Sequence, residues 1–157
     1  MNTRTQDVQT VRLYREVMAR TADHTPEFID ITDEVREILG RSGVQEGTVV
    51  VFSRHTTAAI KINENEPLLL RDMADFLERT APPAGDYRHN DFFIRTANMT
   101  QDECPNGHSH CQHLLLGASE SVPVAGGELL LGRWQRVFLV ELDRPREREV
   151  VVQVQGW

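Results

Sequence analysis

No stretch of this sequence is apolar for long enough to cross a membrane. Its longest apolar runs, Gly47 to Phe52, Leu114 to Leu116 and Val137 to Val140, fall far short of the ~20 residues a helical span needs. The first residues, Met1 to Asp7, lack the apolar centre of a secretory signal, so a cytoplasmic location and no membrane partner are expected. Positive charge is scarce: 17 Lys and Arg stand against 24 Asp and Glu, a net charge of −7. A general nucleic-acid binder needs a positive surface to displace counterions, so nucleic acid is not an expected partner. Two cysteines, Cys104 and Cys111, are too few for a disulfide framework, and in a cytosolic chain they are more often free thiols than ligands. The sequence also has no glycine-rich phosphate loop, no dinucleotide fingerprint, no Gly-x-Ser-x-Gly elbow and no His-Glu-x-x-His. Those absences remove most of the common enzyme classes.

Length and composition point to one globular domain over 1–157, with 39% hydrophobic and 26% charged residues. The densest chemistry lies in Cys104-Pro105-Asn106-Gly107-His108-Ser109-His110-Cys111-Gln112-His113, which holds three of the six histidines and both cysteines. Imidazole and thiolate are the usual ligands of zinc-like metals, and imidazole is the common acid/base near neutral pH. On a strand, His108 and His110 would share a face and could address one metal. His113 joins them only if a helix begins near Cys111. A third histidine from elsewhere would complete an open site of the catalytic kind; loop histidines with hydrogen-bonded rings are the plain alternative.

Other groups could complement this cluster. His55 is followed by Thr56 and Thr57, whose hydroxyls and amides could orient the ring, hold an anion, or simply cap a strand. Glu64 lies in Asn63-Glu64-Asn65-Glu66, just before a helix, where ordinary capping is the plain reading for Glu66. Arg146 and Arg148 stand two apart and on a strand would form a same-face fork for phosphate or carboxylate, or else a solvated edge. Trp134 reads as core.

Apolar periodicity gives the elements. Val11 to Thr21 reads as a strand with Leu13, Val17 and Ala19 on one face and Arg15 and Arg20 outward. A helix capped by Thr32 carries Val35, Ile38 and Leu39 and stops at Gly40 and Gly43. Thr48 to Ser53 reads as a central strand and Ile60 to Asn63 as the next. Pro67 opens a helix from Leu68 to Arg79, with Leu69, Met73, Phe76 and Leu77 inward. Asp86 to Asn106 reads as an ordered loop with some helical character. Three strands at hairpin spacing follow, Glu120 to Val124, Glu128 to Leu131 and Arg136 to Leu142, then a last one from Glu147 to Gln155 with alternating Val150, Val152 and Val154. The class is α+β: antiparallel sheets, sandwich-like, with two main helices.

Several of these segments together carry a resemblance. His55-Thr56-Thr57-Ala58-Ala59-Ile60, Ile62-Asn63-Glu64-Asn65, Tyr87-Arg88-His89, Asn106-Gly107-His108-Ser109-His110 and Leu115-Leu116-Gly117 resemble the YjbQ-like family, also called the secondary thiamine-phosphate synthase family. Leu131-Gly132-Arg133-Trp134-Gln135, Val140-Glu141 and Pro145-Arg146-Glu147-Arg148 continue it in order, so it covers nearly all of the chain from Ile29 onward. The resemblance implies a compact α+β fold, usually a homotrimer, with a cleft lined by histidine motifs. Carried over by position, it implies His55, His89 and His110 as a metal or acid/base triad, with His108 an additional ligand and Glu64 an acid. Thr56, Thr57, Asn63, Arg146 and Arg148 are the expected contacts to a small phosphorylated substrate. The implied activity joins a pyrimidine-methyl diphosphate to a thiazole phosphate and releases pyrophosphate. Its expected cofactor is a divalent metal, zinc-like at the histidines or magnesium with the diphosphate. The alternatives are a non-catalytic metal- or phosphate-ligand-binding trimer and an unassigned metal-dependent hydrolase. The chain departs from the family pattern twice: Arg144 stands where glycine is usual, and the segment from Asn90 to Cys104 is long.

Overall fold

The computed structural model describes residues 10–157. Two antiparallel sheets are stacked, and three helices complete the layers. In the larger sheet, β1 (Arg12–Thr21) pairs with β8 (Glu147–Gly156), then come β3 (Gly47–Ser53), β5 (Ser119–Ala125) and the short β6 (Glu128–Leu129). The smaller sheet holds β7 (Gln135–Glu141) between β2 (Glu27–Asp30) and β4 (Ala58–Glu64). Register places Val49 opposite Val154 and Val51 opposite Val152, so alternate valines of neighbouring strands share one face. That face meets Ile60, Val137 and Leu139 of the smaller sheet, and Val35, Ile38 and Leu39 of α1 (Thr32–Ser42) join the same core. The smaller sheet turns its other face, Ala59, Phe138 and Val140, toward Leu70 and Leu77 of α2 (Pro67–Thr80) and Leu116 of α3 (Gly107–Leu116). The outer face of the larger sheet is left open, with Leu13, Val17 and Phe52 exposed.

The α+β class, the antiparallel sheets and the two main helices agree with the sequence, and α3 is a third helix. Several local expectations are corrected. In β1 it is Tyr14 and Met18 that pack on the core, while Leu13 and Val17 face outward. Side chains alternate strictly along a strand, so Leu13 cannot point in while Arg15 points out. Ile31, not Thr32, is the N-cap of α1, and the Asp30 carboxylate accepts from the Thr32 amide at 3.0 Å and its hydroxyl at 2.6 Å. Gly40 lies inside that helix; Gly43 ends it in the left-handed region, at φ 69°. In α2 only Leu77 is fully buried and Phe76 is exposed. Glu66 caps this helix through the amides of Leu68 and Leu69, at 3.0 and 2.8 Å, as plain capping requires. β6 and β7 do not form a hairpin: the chain crosses from one sheet to the other through Gly132 to Trp134, leaving Trp134 exposed rather than in the core. No helix among the described residues is long and apolar enough to cross a membrane.

Candidate functional site

A cleft of about 500 Å³ opens where four irregular stretches meet beside the β3–β4 loop. Thr56 and Thr57 come from that loop, His89 from a 3₁₀ turn (Arg88–Asn90), Arg95 to Cys104 from the following segment, and Arg144 and Arg146 from the β7–β8 connection. His110 is supplied by the first turns of α3.

The placement of His110 follows from how α3 is pinned. Gly107 donates its amide to Asn90 Oδ1 at 2.9 Å and lies against Tyr87, where an added Cβ would meet Tyr87 Cβ at 2.5 Å. Ser109 Oγ donates to the Leu142 carbonyl at 2.7 Å, and Gln112 Nε2 reaches the carbonyls of Leu77 and Ala81 at 3.2 and 3.0 Å. These buried bonds fix the rotation of the helix. His110 then faces the cleft, with its ring centroid 4.6 Å from that of His89 in an edge-on pair. Burial holds the His110 imidazole below its ordinary pKa, and the neighbouring His89 adds to this, so the ring is neutral near pH 7.

The expectation that His108 shares a face with His110 is overturned. Both lie on a helix, where residues two apart point about 200° apart. His108 is 8% exposed, turned toward Tyr87 with its Nε2 3.1 Å from Ser109 Oγ. Nor does His55 line the cleft: its Nε2 accepts the Glu149 amide at 2.8 Å, which occupies that lone pair. Burial, with the Arg148 and Arg146 guanidinium groups, keeps the His55 ring neutral. Among the described residues, no three histidine, cysteine or carboxylate side chains are grouped so as to hold a metal ion. The cleft itself brings together two imidazoles, His89 and His110.

The expected arginine fork also divides. Arg148 is buried and donates to both oxygens of the buried Glu141, by Nε at 2.5 Å and by Nη2, and to Thr57 Oγ1 at 3.2 Å. Glu141 Oε1 further accepts the amides of Leu142 and Asp143 at 3.1 and 3.0 Å, so its carboxylate shapes the β7–β8 turn. Arg146 does reach the cleft; its Nη2 bonds Asp143 at 2.7 Å and Thr57 Oγ1 at 3.3 Å. Arg148 thus fixes Thr57 from below, and Arg146 is the member of the pair that a ligand can touch.

Glu64 and Asn63 lie at the far end of β4, roughly 20 Å of strand from its Thr57 end, which borders the cleft. Glu64 borders a separate depression with Asp30, Trp134 and Arg136, and Asn63 Oδ1 accepts the Glu64 amide at 2.9 Å. Cys104 lines the cleft, but burial and the Asp143 carboxylate push its thiol pKa up, away from a reactive thiolate.

Three contributors were not expected: Arg95, Asp143 and Glu141. Arg95 donates to Glu103 at 2.7 Å and to the Asn98 carbonyl at 3.0 Å, folding the long segment onto itself. The two departures from the family pattern touch, since Arg144 Nη2 donates to the Asp102 carbonyl at 3.2 Å.

Comparison with known proteins is consistent with this architecture. The family described as UPF0047 protein YjbQ-like matches residues 16–157. A UPF0047 protein of Methanothermobacter thermautotrophicus is 41% identical over 146 residues, 93% of this chain and 94% of its own length. The crystal structure of a YbjQ-like protein of Sulfolobus solfataricus superposes with a TM-score of 0.84 at 34% identity, over 94% of this chain and 100% of that one. A YjbQ/UPF0047 protein of Clostridium acetobutylicum gives 0.74 at 36% identity, over 89% of this chain and 98% of its own. The chain belongs to the YjbQ/UPF0047 family.

Proposed function

We propose that the cleft is the active site of an enzyme acting on a small phosphorylated substrate. The observation that carries this reading is the His89–His110 pair, 4.6 Å apart, in a cleft whose lining includes Arg95, Arg144 and Arg146. Two imidazoles this close can relay a proton between each other and a bound substrate. Arg146 with the Thr56 and Thr57 hydroxyls forms the anion-binding side. The reaction to test first is the thiamine-phosphate-synthase type. There the thiazole nitrogen bonds to the pyrimidine methylene carbon, and the carbon–oxygen bond to diphosphate breaks. The departing pyrophosphate carries the electron pair away, Arg146 neutralises its charge, and the histidine pair passes a proton to its oxygen.

The residues do not fit a resident three-histidine metal centre, because His55 and His108 are committed elsewhere. Magnesium prefers oxygen ligands and would travel with a diphosphate. A homotrimer has its support in the open outer face of the larger sheet, where Leu13, Val17 and Phe52 form an apolar surface that a second copy would cover. Val17→Asp is expected to lower the sedimenting mass of the assembly while leaving the monomer fold intact.

The decisive assay supplies both phosphorylated substrates to purified protein and measures thiamine phosphate. Wild type is expected to exceed His110→Ala by roughly 10²–10⁴-fold, the usual size of an acid/base contribution. Equal background from both removes this reaction. Tight binding of the substrates without product would place the protein among ligand-binding modules instead.

A further inference from the structure

We propose that Arg144 is a specificity-determining, anion-binding residue of this cleft, and that a second anionic group on the ligand displaces its partner Asp102. The inference rests on the reading of the cleft as a phosphate site. The arginines around the cleft differ in how firmly each is already held. Arg148 is buried and spends its donors on both oxygens of Glu141 and on Thr57. Arg95 and Glu103 form a mostly buried pair at 2.7 Å, with side chains 13% and 16% exposed, and Arg95 also bonds the carbonyls of Ala97 and Asn98. Arg146 is held at 2.7 Å by Asp143, whose side chain is 3% exposed.

Arg144 is different. One nitrogen, Nη2, makes both of its contacts, to the Asp102 carbonyl at 3.2 Å and to its carboxylate at 3.5 Å. The second lies at the outer limit of a hydrogen bond. Asp102's side chain is 78% exposed, and exposed pairs of this kind hold their partners weakly. A phosphate group arriving in the cleft offers Arg144 a bidentate, charge-assisted contact in exchange.

Charge points the same way. In a chain of net charge −7, the cleft lining carries three arginines against two carboxylates, Asp102 and Glu103. Glu103 is committed to Arg95. Once Asp102 swings out to water, Arg144 and Arg146 are two guanidinium groups facing the ligand without a carboxylate from the rim. Arg144 is held by Asp102 at the rim and Arg146 by the buried Asp143, so the cleft offers a ligand two separately held guanidinium groups. Two such groups suit a ligand with two anionic groups. Arg146 reads the first and Arg144 the second.

Titration calorimetry of the full chain with inorganic phosphate and with pyrophosphate, at low ionic strength, tests this. Wild type is expected to bind pyrophosphate more tightly than phosphate. Arg144→Gln should weaken pyrophosphate by about tenfold, the loss of one charge-assisted contact, and change phosphate by less than about twofold. Asp102→Asn, which frees Arg144, should tighten pyrophosphate. Arg146→Gln should weaken both anions. The assignment is overturned if Arg144→Gln leaves pyrophosphate affinity unchanged, if it weakens both anions equally, or if Asp102→Asn weakens pyrophosphate. Should Arg146→Gln weaken both anions while Arg144→Gln changes neither, the phosphate reading stands and only Arg144 is lost. Should wild type bind neither anion, the phosphate reading falls with it.

Discussion

One wall of the cleft is made by the end of β7, the start of β8 and the first turn of α3; the other is made by residues 91–104 together with Arg144, which reaches across from the β7–β8 connection to Asp102. Both contain arginine–carboxylate pairs, yet the pairs live in different media. In the first wall, Arg148 and Glu141 have side chains 2% and 0% exposed, and the carboxylate's remaining capacity is filled by two backbone amides. In the second, Arg144 and Asp102 are 35% and 78% exposed, and Phe93 and Ile94 stand out in solvent. A buried pair is costly to break because the survivor is left charged without water. An exposed pair costs little to break because water takes the place of the lost partner. The first wall therefore sets the positions of Thr57 and His110, while in the second the Arg95–Glu103 pair holds the segment together and the Arg144–Asp102 pair is free to exchange partners with a ligand.

The largest expected effect comes from breaking the first wall at its centre. Arg148→Gln leaves the buried Glu141 carboxyl without its ion-pair partner, and should destabilise the fold by about 3–5 kcal/mol in urea unfolding. A double change to Arg148→Met with Glu141→Leu should recover most of that loss, since no uncompensated charge remains. If the single variant were as stable as wild type, the wall would not be held by this pair. Gly107→Ala is the next test. Its Cβ would press on Tyr87, and overpacking of this kind costs about 1–3 kcal/mol. Because Gly107 starts the helix that carries His110, the same variant should also disturb the His89–His110 pair, read as changed imidazole chemical shifts.

Much of the first wall was legible in the sequence. Val150, Val152 and Val154 alternate, and the same parity carries back to Arg148, so the register that buries the valines buries the arginine as well. Glu141 likewise interrupts the apolar run of β7, and an acid in such a place needs a buried partner. The pairing of the two was present in the pattern, although the fork reading pointed both arginines outward. Helix α3 was not legible. Its residues, from Gly107 to Leu116, place no apolar stripe at helical spacing before Leu114. Its rotation is set by tertiary bonds from Ser109 and Gln112 that no periodicity announces. The second wall was visible only as an irregular segment, since its bonds run from side chains to loop carbonyls.

The second wall should loosen in acid. The Glu103 carboxyl is pushed up by burial, but the Arg95 guanidinium and the Thr100 amide and hydroxyl outweigh this and hold it below the usual glutamate range. A depressed carboxyl contributes stability that is present above its unfolded pKa and is lost as pH falls through its folded one. The fold of residues 95–103 should therefore loosen on the acid side of the ordinary glutamate range. Hydrogen exchange followed by mass spectrometry would register faster exchange there than in β8. Arg95→Ala should produce that loosening already at neutral pH. Exchange at residues 95–103 that stays unchanged across that range would remove the role given to the Glu103 carboxylate.

The smallest effect is expected from making the first substitution again on the other side. Arg144→Gln removes the same charge as Arg148→Gln, from a residue only four positions earlier. Its partner Asp102 is already solvated, the carboxylate bond it loses lies at the outer limit of length, and the other, to the Asp102 carbonyl, is an exposed one that water can replace. The urea midpoint of Arg144→Gln should therefore coincide with that of wild type, while Arg148→Gln falls far below both. What Arg144→Gln should change instead is exchange at residues 100–102, because the donor to the Asp102 carbonyl is gone. A large drop in the midpoint would mean that Arg144 holds the fold as Arg148 does. A residue needed for folding is not free to trade its partner for a ligand, so that single measurement decides whether the outer wall can adapt.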